Sequence, residues 1–316
     1  MKSLFGLVAL IGLSVFAQDF RATISGRITD SSDAPVPNVR VTATNVETGI
    51  VTTGSSNDAG LYTLPALPPG RYTLAAEFTG FKRFVREGLT LEVQARPQID
   101  IRLEAGDVSS SIQVTGEAPL LETSSASRGG VITGRTLVDL PLNGRNAFAL
   151  AALEPGVNFT ARGTANTFFR TTGNGGISSA TFGGGGFRSN ESLLDGVPNT
   201  GTDGVVQYVP SVDAASEFKV QTNVFDAEYG RFTGGVLNAA IRSGTNQFHG
   251  TLFNFTRNSY WNARDTFAAN IPQFGYNLFG GSAGAPVVIP KIYNGRNRTF
   301  WFFNYEGSRE GFPVRM

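Results

Sequence analysis

Residues 194–246 contain three short motifs: Leu194-Asp195-Gly196-Val197-Pro198, then Glu228-Tyr229-Gly230-Arg231 with Gly234-Gly235-Val236 close behind, and finally Arg242-Ser243-Gly244-Thr245-Asn246. An enzyme could use Asp195 together with Glu217 as paired carboxylates for acid–base chemistry. Nothing in the sequence sets the distance between these two groups, and Asp195 followed by Gly196 is typical of a turn. By themselves, therefore, the motifs do not indicate catalysis.

The composition excludes several classes of protein. Among 316 residues, 26 Lys and Arg balance 25 Asp and Glu, whereas a chain that binds the nucleic-acid backbone needs a clustered basic excess. The lack of cysteine excludes disulfide scaffolds, Cys-ligated zinc and thiol nucleophiles. The single histidine, His249, excludes a multi-histidine metal site and leaves one base for a Ser–His pair. We therefore expect no cofactor, no metal and no nucleic-acid partner.

The first 17 residues have the features of a secretory signal peptide. Lys2 supplies a positive charge, an apolar run follows over residues 4–16, and small side chains favour cleavage after Ala17. That run is shorter than the roughly 20 residues that a membrane-spanning helix needs. We expect residues 1–17 to be removed on export, and export without disulfides indicates a bacterial protein.

Residues 18–105 have the pattern of a small β-sandwich. Short alternating strands are separated by Pro- and Gly-rich turns, and about 80 residues can bury one modest core. The segment resembles the carboxypeptidase-regulatory-like family, a prealbumin-like sandwich. The segments that carry the resemblance are Gly26-Arg27-Ile28-Thr29-Asp30, Pro35-Val36-Pro37-Asn38-Val39-Arg40-Val41, Asn57-Asp58-Ala59-Gly60-Leu61-Tyr62 and Leu67-Pro68-Pro69-Gly70-Arg71-Tyr72. The resemblance does not imply peptidase activity, because the module carries no metal or nucleophile set.

The three motifs of residues 194–246 resemble, in order and spacing, the plug domain of TonB-dependent outer-membrane receptors of the Oar-like branch. The resemblance implies a plug domain of mixed α+β structure within residues 106–246. It assigns the plug motif to Leu194, Asp195, Gly196, Val197, Glu228, Tyr229, Gly230, Arg231, Gly234 and Gly235.

A short β-prone segment precedes this domain. The resemblance implies that such a segment is the TonB box, the strand on which the periplasmic protein TonB docks. The residues at that position are Ile112, Gln113, Val114, Thr115 and Gly116. Docking by strand addition uses main-chain hydrogen bonds, so the side chains of such a segment can vary. A linker and the first strand of the plug are the alternative interpretations.

Residues 247–316 read as aromatic-rich strands. In the last of them Trp301, Phe303 and Tyr305 share one face, whereas Asn304 and Glu306 share the other. An outer-membrane strand has this alternation, but so does a soluble strand with one buried face. The resemblance favours the opening strands of an Oar-like transmembrane β-barrel. A barrel in a bilayer must close, so we expect the chain to be a fragment or a truncated product.

The predicted fold is therefore mainly β, with a prealbumin-like β-sandwich, a mixed α+β plug and the first strands of an incomplete transmembrane β-barrel. The resemblance implies an outer-membrane TonB-dependent transporter without catalytic residues, whose sandwich lies in the periplasm. Its implied partners are TonB, outer-membrane lipid and an unidentified extracellular substrate. The alternative is a secreted or surface-attached adhesive or carbohydrate-binding β-protein.

Overall fold

The computed structural model describes residues 20–107, 111–115, 127–140, 142, 145–159, 180–186, 188–223, 229–261, 263–264, 266–267 and 275–311. The predicted signal peptide, residues 1–17, lies outside these ranges, as do Gly116 and Glu228. The described chain is mainly β, as the sequence predicts. No helix among the described residues has the length and apolar character that crossing a membrane requires.

The N-terminal part is a sandwich of two sheets. Its strands are β1 (Ala22–Thr29), β2 (Arg40–Asn45), β3 (Val51–Ser55), β4 (Leu61–Leu67), β5 (Gly70–Glu77), β6 (Arg83–Leu91) and β7 (Ile101–Arg102). One sheet has the order β4-β1-β7, and the other contains β3-β2-β5-β6. Inward-facing residues alternate along β1, where Ile24 and Ile28 are fully buried, and Leu64 and Leu74 meet them in a continuous core. The period-2 pattern thus places one face of each sheet in the core.

A further strand, β8 (Ser111–Thr115), completes the second sheet. It pairs in parallel with β6, with Arg83 opposite Ser111 and Glu87 opposite Thr115, so the order becomes β3-β2-β5-β6-β8. This ladder continues the sandwich sheet beyond residue 105, where the sequence predicts the end of the domain. Within the described residues the segment belongs to the sheet of the sandwich and not to the five-stranded sheet that follows.

The middle domain comprises the described residues from 127 to 246. Its elements are β9 (Arg128–Thr133), α1 (Gly134–Asp139), a 3-10 helix (Ala147–Leu153), β10 (Val157–Phe159), β11 (Ala180–Phe182), β12 (Glu191–Leu194), β13 (Val197–Pro198), β14 (Ala215–Asn223) and β15 (Val236–Ile241). A five-stranded sheet has the order β13-β12-β15-β14-β9, with only β12 and β15 parallel. Phe148 of the 3-10 helix packs edge-on against Phe218 of β14, with ring centroids 5.7 Å apart. The domain is thus an α+β unit with its own core.

The C-terminal sheet consists of three long antiparallel strands, β16 (His249–Asn258), β17 (Gly275–Pro286) and β20 (Phe300–Gly311). A small hairpin, β18 (Val288–Ile289) and β19 (Tyr293–Asn294), lies in the connection between β17 and β20. The predicted alternation is present. Phe303 and Tyr305 are 61% and 55% exposed, whereas Asn304 on the opposite face contacts the middle domain. Strand β20 therefore turns its polar face toward that domain and its aromatic face outward.

Candidate functional site: the motif cluster and its contacts

The first motif forms a two-residue hairpin between β12 and β13. Asp195 and Gly196 have φ angles of 49° and 76°, and Leu194 pairs with Val197 across them. Positive φ at both central positions identifies a type I′ turn, for which Asp-Gly is a preferred pair. The Asp195 carboxylate accepts a hydrogen bond from the Ile241 N–H at 2.9 Å. Burial raises the pKa of Asp195, and that hydrogen bond lowers it. The motif therefore ties the hairpin to the end of β15.

The paired-carboxylate hypothesis is not supported by this geometry. Strand β15 lies between β12, which leads into Asp195, and β14, which carries Glu217. Two strand spacings separate their backbones by roughly 10 Å. Each carboxylate instead accepts a hydrogen bond from a different backbone N–H, that of Ile241 for Asp195 and that of Val93 for Glu217.

Two glycines of the second motif allow the chain to approach its neighbours closely. A Cβ on Gly234 would lie 2.8 Å from the Ser189 carbonyl oxygen. On Gly235 it would lie 2.6 Å from the Phe182 Cβ and also clash with a carbonyl of β14. The Gly234 N–H donates to the same Ser189 oxygen at 2.8 Å. The motif thus holds the start of β15 between β12 and β14 at a distance that only glycine allows.

Tyr229 connects the motif to the sandwich. Its ring is buried against Leu193 and Val236, and its hydroxyl accepts a hydrogen bond from the Gln94 side chain. In the same motif, Arg231 lowers the pKa of Glu191, although burial has the larger effect and raises it. Gly230, in the same motif, differs from Gly234 and Gly235, because a Cβ at this position would have no neighbour within 4 Å.

Glu217 lies at the same contact between sandwich and middle domain. Its carboxylate accepts a hydrogen bond from the Val93 N–H in the loop that follows β6. Burial raises the pKa of Glu217 to about 7; the Val93 N–H lowers it, Glu92 raises it and Lys219 lowers it. The contact therefore contains a carboxyl group that changes charge near neutral pH.

The third motif ends at a junction of all three parts of the chain. The Asn246 N–H donates to the Glu47 carbonyl of the sandwich at 3.1 Å. The Asn246 side chain accepts from the Asn297 N–H, in the connection that leads into β20, at 2.9 Å. Arg242 donates to the Ala215 carbonyl at 3.0 Å, which joins β15 to β14.

A buried ion pair anchors the middle domain to the inner face of the C-terminal sheet. Arg145 and Asp213 lie 2.6 Å apart, with side chains only 18% and 11% exposed. The Arg145 guanidinium also lies 4.7 Å and 4.6 Å from the ring centroids of Phe253 and Phe255 on β16. Sequence reasoning missed this site, because Arg145 and Asp213 are 68 residues apart and neither belongs to a motif.

Further polar contacts surround this pair. Thr251 of β16 donates to Asp213 at 3.4 Å, and Ser211 donates to Asn304 of β20 at 2.9 Å. The polar face predicted for β20 is therefore the face that the middle domain contacts.

The remaining predicted residues divide into two groups. The first group lies in β8, at the edge of the sandwich sheet, and consists of Ile112, Gln113, Val114 and Thr115. The strands that carry the motif cluster belong to a different sheet. Gly116 and Glu228 lie outside the described residues. Within the described ranges, no three His, Cys, Asp or Glu side chains lie close enough to hold a metal ion. The contacts described for the motif residues are packing and attachment contacts.

Comparison with known proteins agrees with this arrangement. Residues 23–104 match the carboxypeptidase regulatory-like domain, and residues 240–312 match an outer membrane beta barrel domain. The TonB-dependent transporter Oar of Myxococcus xanthus is 28% identical over 313 residues, which cover 93% of this chain. The chain is homologous to Oar. It spans 27% of the length of that relative.

Two solved structures are also similar. The siderophore receptor PirA from Acinetobacter baumannii is 18% identical, with a TM-score of 0.38, over 58% of this chain and 24% of its own. The outer membrane transporter YddB from Escherichia coli is 19% identical, with a TM-score of 0.40, over 51% of this chain and 24% of its own. Neither likeness is close enough to carry a functional inference. The homology to Oar and the beta barrel match support an outer-membrane location.

Proposed function

We propose that the chain belongs to an outer-membrane transporter that takes up a substrate with energy delivered by TonB. The observation that carries this proposal is the homology to the transporter Oar over 93% of the chain, through the sandwich, the middle domain and the C-terminal sheet in one order. The polar contacts between the middle domain and the inner face of that sheet support the same function, because a plug must be held inside its barrel.

In this proposal each part has a distinct role. The middle domain is the plug, and β16, β17 and β20 are barrel wall whose outward face meets lipid. Residues 112–116 are the strand on which TonB docks. The plug motif residues build the plug rather than touch the substrate, since Asp195, Gly234 and Gly235 are engaged by neighbouring backbone. No step of such transport requires a catalytic residue.

Binding of the periplasmic domain of TonB tests the proposal. The full-length protein would be purified from outer membranes in detergent and titrated with that domain, alongside Ile112→Pro and Ile112→Val variants. Proline removes a main-chain donor and distorts the strand, whereas valine keeps the β-prone backbone. We expect binding to fall at least tenfold in Ile112→Pro and to change less than twofold in Ile112→Val.

Two results would count against the proposal. Equal binding by the proline variant would mean that residues 112–116 are not the docking strand. No binding by the unaltered protein would contradict TonB dependence and favour a surface adhesin or carbohydrate-binding protein.

A further inference from the structure

The predicted docking strand already has a partner within its own chain. Strand β8 pairs with β6 over five residues, with Phe84 opposite Ile112 and Val85 opposite Gln113. Because β8 is the last strand in the order β3-β2-β5-β6-β8, no strand of the described residues pairs with its other side. On one side of β8, therefore, the main-chain hydrogen-bonding groups are already paired with β6 and are not available for strand addition by a partner.

Strand β6 does not depend on β8 for its own place in the sandwich. On its other side it pairs with β5 from Gly70–Leu91 to Ala76–Phe84. Its Phe84, Leu89 and Leu91 side chains are buried in the sandwich core. A β8 strand that leaves would expose one edge of β6 and leave this core in place.

The sequence of β6 suits such an edge. Arg83, Arg86 and Glu87 place three charges within the five residues that pair with β8. Charged side chains are a common protection for edge strands, which otherwise pair with foreign chains. The ladder is also parallel and short, a form of pairing that is slightly less stable per residue than the antiparallel form. These features fit a strand pair that can open.

The order of the strands along the chain determines where a force on β8 is transmitted once β8 separates from β6. After β8 the chain next enters a described strand at β9, which is the outermost strand of the middle domain's sheet and pairs with β14. While β8 stays on β6, a force applied to residues 112–115 is carried by the sandwich. Once β8 has left β6, the same force reaches β9 and the middle domain.

We propose that the sandwich is a storage site for the docking strand, and that TonB and β6 compete for residues 112–115. The inference rests on the proposed function, since it takes these residues to be the TonB-docking strand. It assigns to the sandwich a role of its own: β6 limits the fraction of molecules in which the strand is available, and so lowers the apparent affinity for TonB.

Reversible cross-linking tests the competition directly, because residues 1–316 contain no cysteine. Any cysteine elsewhere in the full-length protein would first be replaced by serine. A Val85→Cys, Gln113→Cys double variant places two thiols at opposed positions of β6 and β8. A short, reducible bis-methanethiosulfonate reagent would join them in the full-length protein. The matched control is Thr42→Cys, Thr53→Cys, an opposed pair on β2 and β3 of the same sheet.

Titration with the periplasmic domain of TonB would be performed before cross-linking, after cross-linking and after reduction. We expect at least tenfold weaker binding by the cross-linked β6–β8 variant, full recovery on reduction, and less than a twofold change in the β2–β3 control. Equal binding in the cross-linked and reduced states would overturn the proposal, since TonB would then bind without displacing β8 from β6.

Failure of the β6–β8 pair to cross-link and failure of the unaltered protein to bind TonB are also decisive. If the β2–β3 pair cross-links and the β6–β8 pair does not, the docking strand is not stored on β6 and the proposal fails. In that case, and also when cross-linking leaves binding unchanged, normal TonB binding by the unaltered protein means that the proposed function stands while storage is rejected. If the unaltered protein does not bind TonB at all, the proposed function itself is wrong.

Discussion

At the scale of single residues, several positions of the predicted plug motif leave little choice of side chain. Asp195 and Gly196 form a turn with positive φ at both positions, and Gly235 lies where a Cβ would meet Phe182. Asp195 also accepts a hydrogen bond from Ile241, so its side chain closes the hairpin against β15. These roles are structural, so they account for the residue types at these positions without reference to any substrate.

We expect Gly235→Ala to destabilise the middle domain by about 1–3 kcal/mol, because the new methyl group forces β15 away from β14 and Phe182. Gly230→Ala in the same motif is the matched control, since a Cβ there meets open space. Proteolysis during urea unfolding of the purified protein measures the difference. Equal resistance of the two variants would show that the close approach at Gly235 does not limit stability.

A second residue-scale prediction concerns Glu217, whose pKa burial raises to about 7 from an ordinary 4.5. Because the uncharged form is favoured in the closed contact, the contact is strongest at acidic pH and weakens as pH rises through this interval. We expect protection of the Val93 amide from hydrogen exchange to fall about tenfold between pH 6 and pH 8, after correction for intrinsic rates.

Glu217→Gln is expected to abolish this fall while keeping an acceptor for the Val93 N–H. The Val39 amide, bonded to Ser56 inside the sandwich, provides the internal control and is expected to show no such fall. A tenfold change that persists in Glu217→Gln would assign the pH dependence to another group.

At the scale of elements, the attachment of the middle domain to the C-terminal sheet depends on the start of one short helix. Asn146 caps the 3-10 helix by accepting from the Phe148 N–H at 3.0 Å, which places Arg145 directly before it. Arg145 then meets Asp213 and the two phenylalanines of β16. The sequence contains no local signal for the ion pair, because both the partner of Arg145 and its aromatic neighbours are distant in the chain.

We expect Arg145→Ala to lower the stability of the middle domain by about 3–5 kcal/mol, because it leaves the Asp213 carboxylate buried without its cation. Arg71→Ala is the control, since its ion pair with Glu47 is more than 40% exposed on both sides and such pairs contribute about 1 kcal/mol or less. Urea unfolding followed by proteolysis compares the two. Similar losses in both variants would mean that burial does not strengthen the Arg145 contact.

At the scale of the whole molecule, the three separately packed parts contact one another through specific side chains. Asn246 contacts both the sandwich and the connection into β20, while Gln94 and Val93 join the sandwich to the middle domain. The outward face of the C-terminal sheet carries exposed aromatic and aliphatic side chains, with Leu252 92% exposed. In an outer-membrane protein such a face is covered by lipid, which accounts for its composition.

We expect Phe303→Arg to destabilise the membrane-inserted protein by about 2–4 kcal/mol if this position lies near the bilayer midplane, because a charge is then exposed to hydrocarbon. Phe303→Leu keeps an apolar side chain and is expected to have a much smaller effect. Urea unfolding in lipid vesicles, read from the gel mobility of folded and unfolded forms, measures both. Equal stability of the arginine and leucine variants would place Phe303 away from lipid.

The sequence by itself determined the local features: the mainly β character, the alternating faces of the strands, the Asp-Gly hairpin and the likeness to outer-membrane receptors. These features follow from side-chain period, turn chemistry and motif order, all of which act over a few residues. Only the tertiary structure decided that β8 joins β6, that Arg145 pairs with Asp213 and that Glu217 is buried against Val93. Each of these joins residues distant in the chain, and such contacts depend on how whole sheets pack rather than on any local pattern.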